Sequence, residues 1–216
     1  MATLRSCRVL CVLVLLIWAA GVARADSLFD FNSVALDTAT TFSALNNGLT
    51  ATFSSPVYPG GFVVQSSEGS LASPLDGNVL RDTGDSPDAN IPLNIAFSSN
   101  LTSVSLAFAT ETFSGTDTFF LTAFESGIPV GSATAIGVVP ATFIFPQGSI
   151  TLTGSMFNSI QLTSTAPAFA INDVDAVVAP VVSATEPNSF ILLGMGLLGL
   201  LALTVRGKRH APPVAC

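Results

Sequence analysis

Carboxylate side chains near both ends of one long segment offer the clearest chemistry in this sequence. Asp30 and Asn32 lie near the start of the segment, and Asp173 and Asp175 lie near its end. Carboxylate and amide oxygens are the ligands that calcium prefers. The first and last strands of a β domain often lie side by side, so we predict that these side chains meet around one calcium ion. The alternative is that they are solvated polar residues that keep strand edges soluble.

A second acidic group lies in the stretch RDTGDSPDAN. Asp82, Asp85 and Asp88 are three residues apart and surround Gly84. This spacing could wrap a cation, but Gly, Pro, Ser and Asn are also typical of a polar loop between two strands. We favour the loop.

A third pair of carboxylates, Glu111 and Asp117, flanks the turn TFSGT. Two carboxylates on opposite sides of a cleft can act as general acid and base in glycoside hydrolysis. Sugar sites also tend to stack the sugar on aromatic rings, and Tyr58 is the only tyrosine in the chain. We keep a carboxylate-based glycoside hydrolase as the least favoured alternative and assign no catalytic residue.

The segment that carries these carboxylates lacks several reactive side chains. Its residues 26–186 contain no Cys, His, Lys or Trp. Catalysis by Ser-His-Asp or Cys-His groups is therefore excluded within the segment, as is a zinc site built from His and Cys. A disulfide framework is excluded as well. We predict a protein that is not an enzyme.

The same segment is strongly acidic. All 14 Asp and Glu residues lie between Asp26 and Glu186, against one basic residue, Arg81, which gives 1 − 14 = −13. Nucleic acids and anionic lipid surfaces are bound by basic surfaces. We therefore predict no nucleic-acid partner, and the charge favours solubility and association with cations.

Short alternating runs indicate that residues 26–180 form an all-β domain. LTSVSLAF, DTFFLTAFE, TFIF, SITLTG, NSIQLTS and FAINDVDAVV are rich in β-branched and aromatic residues, and Gly, Asn and Pro turns separate them. About ten short strands predict a single β-sandwich, and jelly-roll topology is favoured. The chain has 16 Phe, which would supply the core without disulfides.

The first 25 residues predict a secretory signal peptide. Arg5 and Arg8 precede an apolar run, and Ala23 and Ala25 form the small-residue site before Asp26. Basic start, apolar middle and small-residue site are the three parts of such a signal. We predict cleavage after Ala25, and the alternative is an uncleaved membrane anchor.

The other end predicts a membrane anchor. A linker at 181–189 leads into an apolar run at 190–205, which we predict to be a single transmembrane helix. Arg206, Lys208 and Arg209 then form a basic stop, so residues 206–216 are predicted to stay cytoplasmic.

The tail TEPNSFILLGMGLLGLLALTVRGKRH resembles the bacterial PEP-CTERM sorting signal. Glu186 and Pro187 match its motif, and Thr185 stands where that family has its first Pro. The resemblance implies that an exosortase-type enzyme processes the tail and that the protein reaches the cell surface or the extracellular matrix. A plain single-pass anchor is the alternative.

The order of the β-rich runs is similar to that of the jelly-roll ectodomains that often precede such tails. The closing strand here has Asn172 and Asp173 where that group commonly has Asp-Asn. By this analogy polysaccharide is the plausible ligand. The favoured function is an exported surface or matrix protein with a structural or binding role, and the alternative is a calcium-assisted carbohydrate-binding module.

Overall fold

A computed structural model describes residues 26–84, 90–112 and 116–180 of the chain. All regular secondary structure within these residues is β, with every pairing antiparallel, which confirms the predicted all-β class. None of these residues belongs to a helix that could cross a membrane. The predicted signal peptide, linker, transmembrane helix and basic stop, with the motif residues Glu186 and Pro187, lie outside the described residues.

Ten strands follow one another along the described chain. Their bounds are β1 (Asp26–Phe29), β2 (Phe42–Asn46), β3 (Leu49–Ser54), β4 (Phe62–Ser66), β5 (Asn78–Asp82), β6 (Leu93–Thr110), β7 (Thr118–Glu125), β8 (Ile128–Ile136), β9 (Gln147–Ser164) and β10 (Phe169–Val178).

Two of the predicted tight turns are found as β-hairpins. Asn47 and Gly48 join β2 to β3, and Ser126 and Gly127 join β7 to β8. All four residues have positive φ, between 46° and 82°. Two consecutive residues of positive φ give a turn whose twist matches that of the flanking strands, which is why Asn and Gly recur there.

The expectation that every strand is short is wrong for two of the ten. β6 and β9 each run for 18 residues and pair with each other along most of their length, with register shifts between Ala96 and Ser103. These irregularities let each long strand bend without ending, because a bulge kinks a strand while its pairing continues. As a result the ten strands form one continuous sheet in the order β4-β5-β10-β6-β9-β7-β8, with β1 on β10, β3 on β6 and β2 on β3.

The run TFIF is also not a strand. Residues 142–145 form a turn and bends between Pro140 and Pro146, and the Phe143 amide donates to the Pro140 carbonyl at 3.0 Å. Proline cannot donate to a ladder, so the two prolines prevent this apolar run from joining the sheet.

The bent strands divide the sheet into two halves. The first half contains β2, β3, β7 and β8 with 93–97 of β6 and 159–164 of β9, and the second contains β1, β4, β5 and β10 with the remainder of β6 and β9. Their apolar faces pack against each other. Phe119 of the first half stacks on Phe108 of the second with ring centroids 4.4 Å apart, and it meets Phe169 edge to face at 5.2 Å.

Phenylalanine dominates the core between the halves. Seven of the largest fully buried side chains are phenylalanines: Phe31, Phe53, Phe62, Phe108, Phe119, Phe157 and Phe169. Each buried ring removes a large apolar area from water, and offset or edge-to-face ring pairs add to that. This confirms the expectation that phenylalanine supplies the core.

A loop covers the outer surface of the second half. We call residues 67–77 the strap. Its Leu71 and Leu75 are buried against Val79, Ala107, Ala109 and Ala170. Gln147 accepts from the Ala72 amide at 2.9 Å, and Asn172 donates to the Pro74 carbonyl at 2.9 Å. The two buried amides thus hold the strap on the sheet.

Candidate functional site

The outward side of the first half carries an open polar surface, which we call the groove face. Residues directly opposite on neighbouring strands point to the same side of a sheet. One row therefore crosses five strands in the order Ser54, Asn94, Gln161, Thr122 and Ser132. Strands lie about 4.8 Å apart, so the row is about 19 Å long. All five side chains are at least partly exposed.

A second row lies beside the first. It runs through Thr52, Ala96, Ser159, Phe124 and Pro129 in register. Alternation explains both rows, because in each strand the intervening residues point into the core. The groove face is therefore a consequence of period-two patterning, with hydroxyl and amide groups along the first row and a mixture of polar and apolar side chains along the second.

A cavity of about 400 Å³ opens on this surface. This volume falls in the range of small-molecule binding sites, about 300 to 1,000 Å³. It is lined by Ser54, Asn94, Ala96, Phe124, Gly127, Ser159, Ile160 and Gln161.

Two amides lie at the centre of the cavity. Gln161 donates from Nε2 to the Asn94 Oδ1 at 3.1 Å. This contact uses one donor hydrogen of Gln161 and one acceptor position of Asn94. The Asn94 amino group and the Gln161 carbonyl make no other hydrogen bond with the described residues, so the pair presents a donor and an acceptor side by side. A ligand with neighbouring hydroxyl groups satisfies both.

Aromatic rings supply the apolar part of the surface. Phe124 lines the cavity, and Phe120 lies four residues earlier on the same side of β7. Both rings are half-buried rather than hidden in the core. A partly exposed ring next to unsatisfied amides offers a stacking surface beside hydrogen-bonding groups.

The predicted calcium ligands divide into two groups. Asp173 lies at a bulge of β10 with φ 50°, and burial, then the Asp30 and Asp76 carboxylates, raise its pKa above the ordinary value. Burial and the carboxylate of Asp26 raise the pKa of Asp175. The Asp173 carboxylate thus feels the charges of Asp30 and Asp76, whereas that of Asp175 feels the charge of Asp26.

The side chain of Asn32 has a structural partner. Its Oδ1 accepts from the Asn78 amide at 3.0 Å, and it lies where a side chain at Gly77 would collide, 2.5 Å from an ideal Cβ. The backbone N–H of Asn32 donates to Asp30 Oδ1 at 3.1 Å. Within the described residues, no group of three or more His, Cys, Asp or Glu side chains could hold a metal ion. Calcium binding by Asp30, Asp173 and Asp175 stays a prediction.

The carboxylates considered for hydrolysis each have partners of their own. Glu111 forms an ion pair with Arg81, the one basic residue of the acidic segment. Asp117 accepts hydrogen bonds from the hydroxyls of Thr112 and Thr165. The two carboxylates are thus engaged in separate contacts.

The stretch RDTGDSPDAN was predicted to be a polar loop. Of its three aspartates, Asp82 is the one within the described residues. This residue ends β5, is buried, and accepts from the Gly84 amide at 2.9 Å. It is therefore a strand residue rather than a loop residue. Asp85 and Asp88 lie outside the described residues.

The ion pair borders a second, smaller cavity. Its volume is about 40 Å³, and its lining includes Arg81, Glu111, Leu71 of the strap and Phe145. A single water needs roughly 10 to 15 Å³ by this measure, so the space suits a few waters and not a sugar ring. The groove face is therefore the larger binding surface of the two.

The residues of the groove face escaped the sequence reasoning, which concentrated on carboxylates. The signal was present in LNIAFSS, TFFLTAF and NSIQLTS, where apolar core residues alternate with residues that are mostly polar. What alternation cannot show is that Asn94 and Gln161, 67 residues apart, lie opposite each other. That pairing depends on the register of β6 against β9.

Comparison with known proteins gives structural similarities but no family. No family model matches the chain, and no curated protein matches it. Among solved structures, the chain is similar to the K2 adhesin domain of Lys-gingipain, with 14% identity, 70% of this chain and 99% of that chain covered, and a TM-score of 0.46.

Carbohydrate-binding modules are also among the similar structures. CBM29-2, solved in complex with mannohexaose, has 11% identity, covers 72% of this chain and 93% of its own, and gives a TM-score of 0.34. The CBM22-2 xylan-binding domain of Paenibacillus barcinonensis Xyn10C has 8% identity, covers 72% and 99%, and gives 0.34.

Proposed function

We propose that this chain is an exported surface or matrix protein whose β domain binds a neutral polysaccharide along the groove face. The observation that carries the proposal is the row from Ser54 to Ser132, with the Asn94–Gln161 pair at its centre. A polysaccharide presents hydroxyl groups at regular intervals and an apolar ring face. Those features complement a line of hydroxyl and amide groups next to Phe124.

The charge of the domain favours a neutral ligand. Residues 26–180 contain 13 acidic residues and one arginine, so their net charge is 1 − 13 = −12. An anionic polymer would be repelled by this field, most strongly at low salt. The groove lining itself holds no charged residue, so a neutral polymer meets no desolvated charge there.

Binding is tested with the full chain and soluble neutral polysaccharides, namely a β-glucan, a mannan and a xylan, with alginate as the anionic control. We expect saturable binding to at least one neutral polymer and none to alginate. The double variant Asn94→Ala with Gln161→Ala should weaken binding at least about tenfold, which corresponds to about 1.4 kcal/mol.

The matched control is Gln65→Ala, which removes an amide from β4 at the far end of the sheet order. It should bind as the unchanged chain does. Equal binding by the double variant would place the ligand elsewhere. No binding to any of the neutral polymers would contradict the proposal.

We further propose that binding occurs without turnover. The separate engagement of Glu111 by Arg81 and of Asp117 by two threonines supports this. An acid and a base for glycoside hydrolysis must face each other across the scissile bond. Release of reducing sugar that disappears in Glu111→Gln or Asp117→Asn would reverse this conclusion.

The proposal includes the predicted delivery route and topology. Residues 1–25 would be removed on export, and an exosortase-type enzyme would process the tail near Glu186 and Pro187. The intact mass of the protein from its own cells tests this directly: a mass from Asp26 to about Pro187 supports it, and a mass running to Cys216 in the membrane fraction contradicts it.

Two sheet halves packed face to face also fit the expected jelly-roll sandwich.

A further inference from the structure

One edge of the sheet has no partner within the part of the chain that the structure describes. β8 ends the strand order, and only β7 pairs with it. Such an edge exposes a row of unpaired N–H and C=O groups, which is a template for another strand. Natural edges are usually protected by charged side chains, prolines, bulges or a covering segment.

The edge at the other end of the strand order is protected by the chain itself. β4, at the opposite end, is covered by residues 37–40, whose backbone exchanges hydrogen bonds with it; the Asp37 amide donates to Val64 at 2.8 Å and the Thr40 amide donates to Phe62 at 2.9 Å. β2 pairs only with β3, and its last residue, Asn46, is held against β1 by its side chain, which donates to the Leu28 carbonyl at 2.8 Å. β8 differs from β4 because no segment other than β7 pairs with it in the described part of the chain.

Charge does not protect β8 either. No Asp, Glu, Lys, Arg or His occurs in residues 126–172, which include all of β8 and β9. Pro129 and a register shift next to it interrupt only the first part of β8, which leaves 131–136 regular. Two apolar side chains at the end of this stretch are exposed, Ile136 at 60% and Val138, two residues further on, at 72%.

We propose that residues 131–136 of β8 pair antiparallel with the same residues of a second copy of this chain. A domain of charge −12 repels its own copies over most of its surface. The uncharged β8 edge is where two copies approach without bringing carboxylates together. Identical antiparallel strands are self-complementary about a twofold axis, which closes the assembly as a dimer.

The proposed pairing has a definite register. Ser132, Thr134 and Ile136 lie on one side of β8, opposite Thr122, Phe120 and Thr118 of β7. An axis through Thr134 places each Thr134 against its copy and each Ser132 against the partner's Ile136. An axis through Ser132 would instead place 134–136 against 128–130, where Pro129 interrupts the ladder, so the register about Thr134 is the one proposed. This register joins the groove faces of the two copies into one surface.

Cysteine cross-linking of the full chain tests the interface, since residues 26–186 contain no cysteine. In a background with Cys7, Cys11 and Cys216 replaced by Ser, the variants Ser132→Cys and Thr134→Cys are oxidised separately. Directly opposed strand residues lie within disulfide reach, about 4.4 to 6.8 Å between Cα atoms. We expect a disulfide-linked dimer from at least one of them and none from Ser33→Cys in an exposed turn.

A charge variant supplies the second arm. Thr134→Lys should raise the dimer dissociation constant at least about tenfold, because like charges opposite each other destabilise a strand pair. Ser33→Lys adds the same charge away from the edge and should leave it unchanged. Ile136→Lys repeats the test if Thr134→Lys fails to fold, as judged by circular dichroism.

The dimer dissociation constant is measured by sedimentation in the absence of polysaccharide. Failure of the dimer proposal is therefore distinguishable from failure of the proposed binding function. A monomeric chain would overturn the proposal. A dimer that persists in the Lys variants, or that neither cysteine cross-links, would also overturn it and would indicate a different interface.

Discussion

The two ends of the sheet differ in how the chain finishes them. At the β4 end, residues 37–40 form backbone hydrogen bonds with β4 itself. The strap covers the outer surface there and buries Leu71 and Leu75. At the β8 end, the edge has no partner in the described residues and the outer surface carries the groove face. The same sheet is thus closed by its own loops at one end and open at the other.

This difference indicates where ligands and partners are expected. Apolar outward residues such as Val79 and Ala107 need cover, and the strap provides it. Hydroxyl and amide groups such as those of Thr122 and Gln161 are stable in water and need none. An exposed polar surface can exchange bound water for a ligand. A surface that is buried under a loop contributes to the stability of the fold instead.

The largest expected effect concerns the core that joins the two ends. Phe119 is fully buried and packs on Phe108 and Phe169 from the other half. Phe119→Ala should lower the free energy of unfolding by about 4 kcal/mol, because it removes a buried ring and leaves a cavity. Urea unfolding of the full chain measures this. A loss below about 1 kcal/mol would mean that the halves do not depend on each other.

The next effect tests the closed end. Asn172 is 1% exposed, accepts from the Phe31 amide at 3.4 Å and donates to the Pro74 carbonyl. Asn172→Ala should cost about 2 kcal/mol, because it leaves buried backbone groups without partners. Hydrogen exchange should rise in the strap but not on the groove face. Faster exchange on the groove face would show that the two ends are not separate.

The open end should respond in the opposite way. The Asn94→Ala and Gln161→Ala double variant should lose polysaccharide affinity at least about tenfold, while its unfolding free energy changes by less than about 0.5 kcal/mol, as for exposed residues. Urea unfolding and binding are measured on the same preparations. A large loss of stability would assign the amide pair to the fold rather than to a ligand.

The smallest effect concerns Asp173. Its folded-state pKa is raised above the ordinary value of 3.8, so the folded chain binds this proton more tightly than the unfolded chain does. The stabilisation is therefore fully present below the ordinary value and is lost as the pH rises through the raised pKa. Asp173→Asn removes this loss and suits the positive φ of 50°.

At neutral pH, Asp173→Asn should raise the unfolding free energy by ~0.5 kcal/mol, since water screens charges at a partly exposed site. Near pH 3 the variant and the unchanged chain should be equally stable. Thermal unfolding at both pH values measures the difference. A destabilised variant at neutral pH would mean that the carboxylate makes a favourable contact, such as one with a bound cation.

The all-β class and the core could be predicted because both follow from local patterns. Alternation in SVSLAF placed Val104, Leu106 and Phe108 on one side of a strand, and all three are buried. Turn residues with positive φ marked the β2–β3 and β7–β8 hairpins. These signals act between neighbouring residues and need no knowledge of the partner strand.

The remainder depends on long-range register, which the sequence does not display. β6 continues through Ser98, Ser99 and Asn100, where alternation breaks, because β9 accommodates the irregularity. The bulge in β10 between Asn172 and Asp175, which shifts the register against β6, is likewise not visible in the sequence. The groove face likewise exists only once five strands are aligned.

Hydrogen exchange of the full chain, with and without a bound neutral polysaccharide, tests the central claim most directly. The account predicts slower exchange in 93–98, 120–125 and 159–163, the segments of β6, β7 and β9 in the middle of the groove face, with the strap unchanged. Protection confined to the strap or to β4, or no protection at a saturating polysaccharide concentration, would contradict the assignment of binding to the open end.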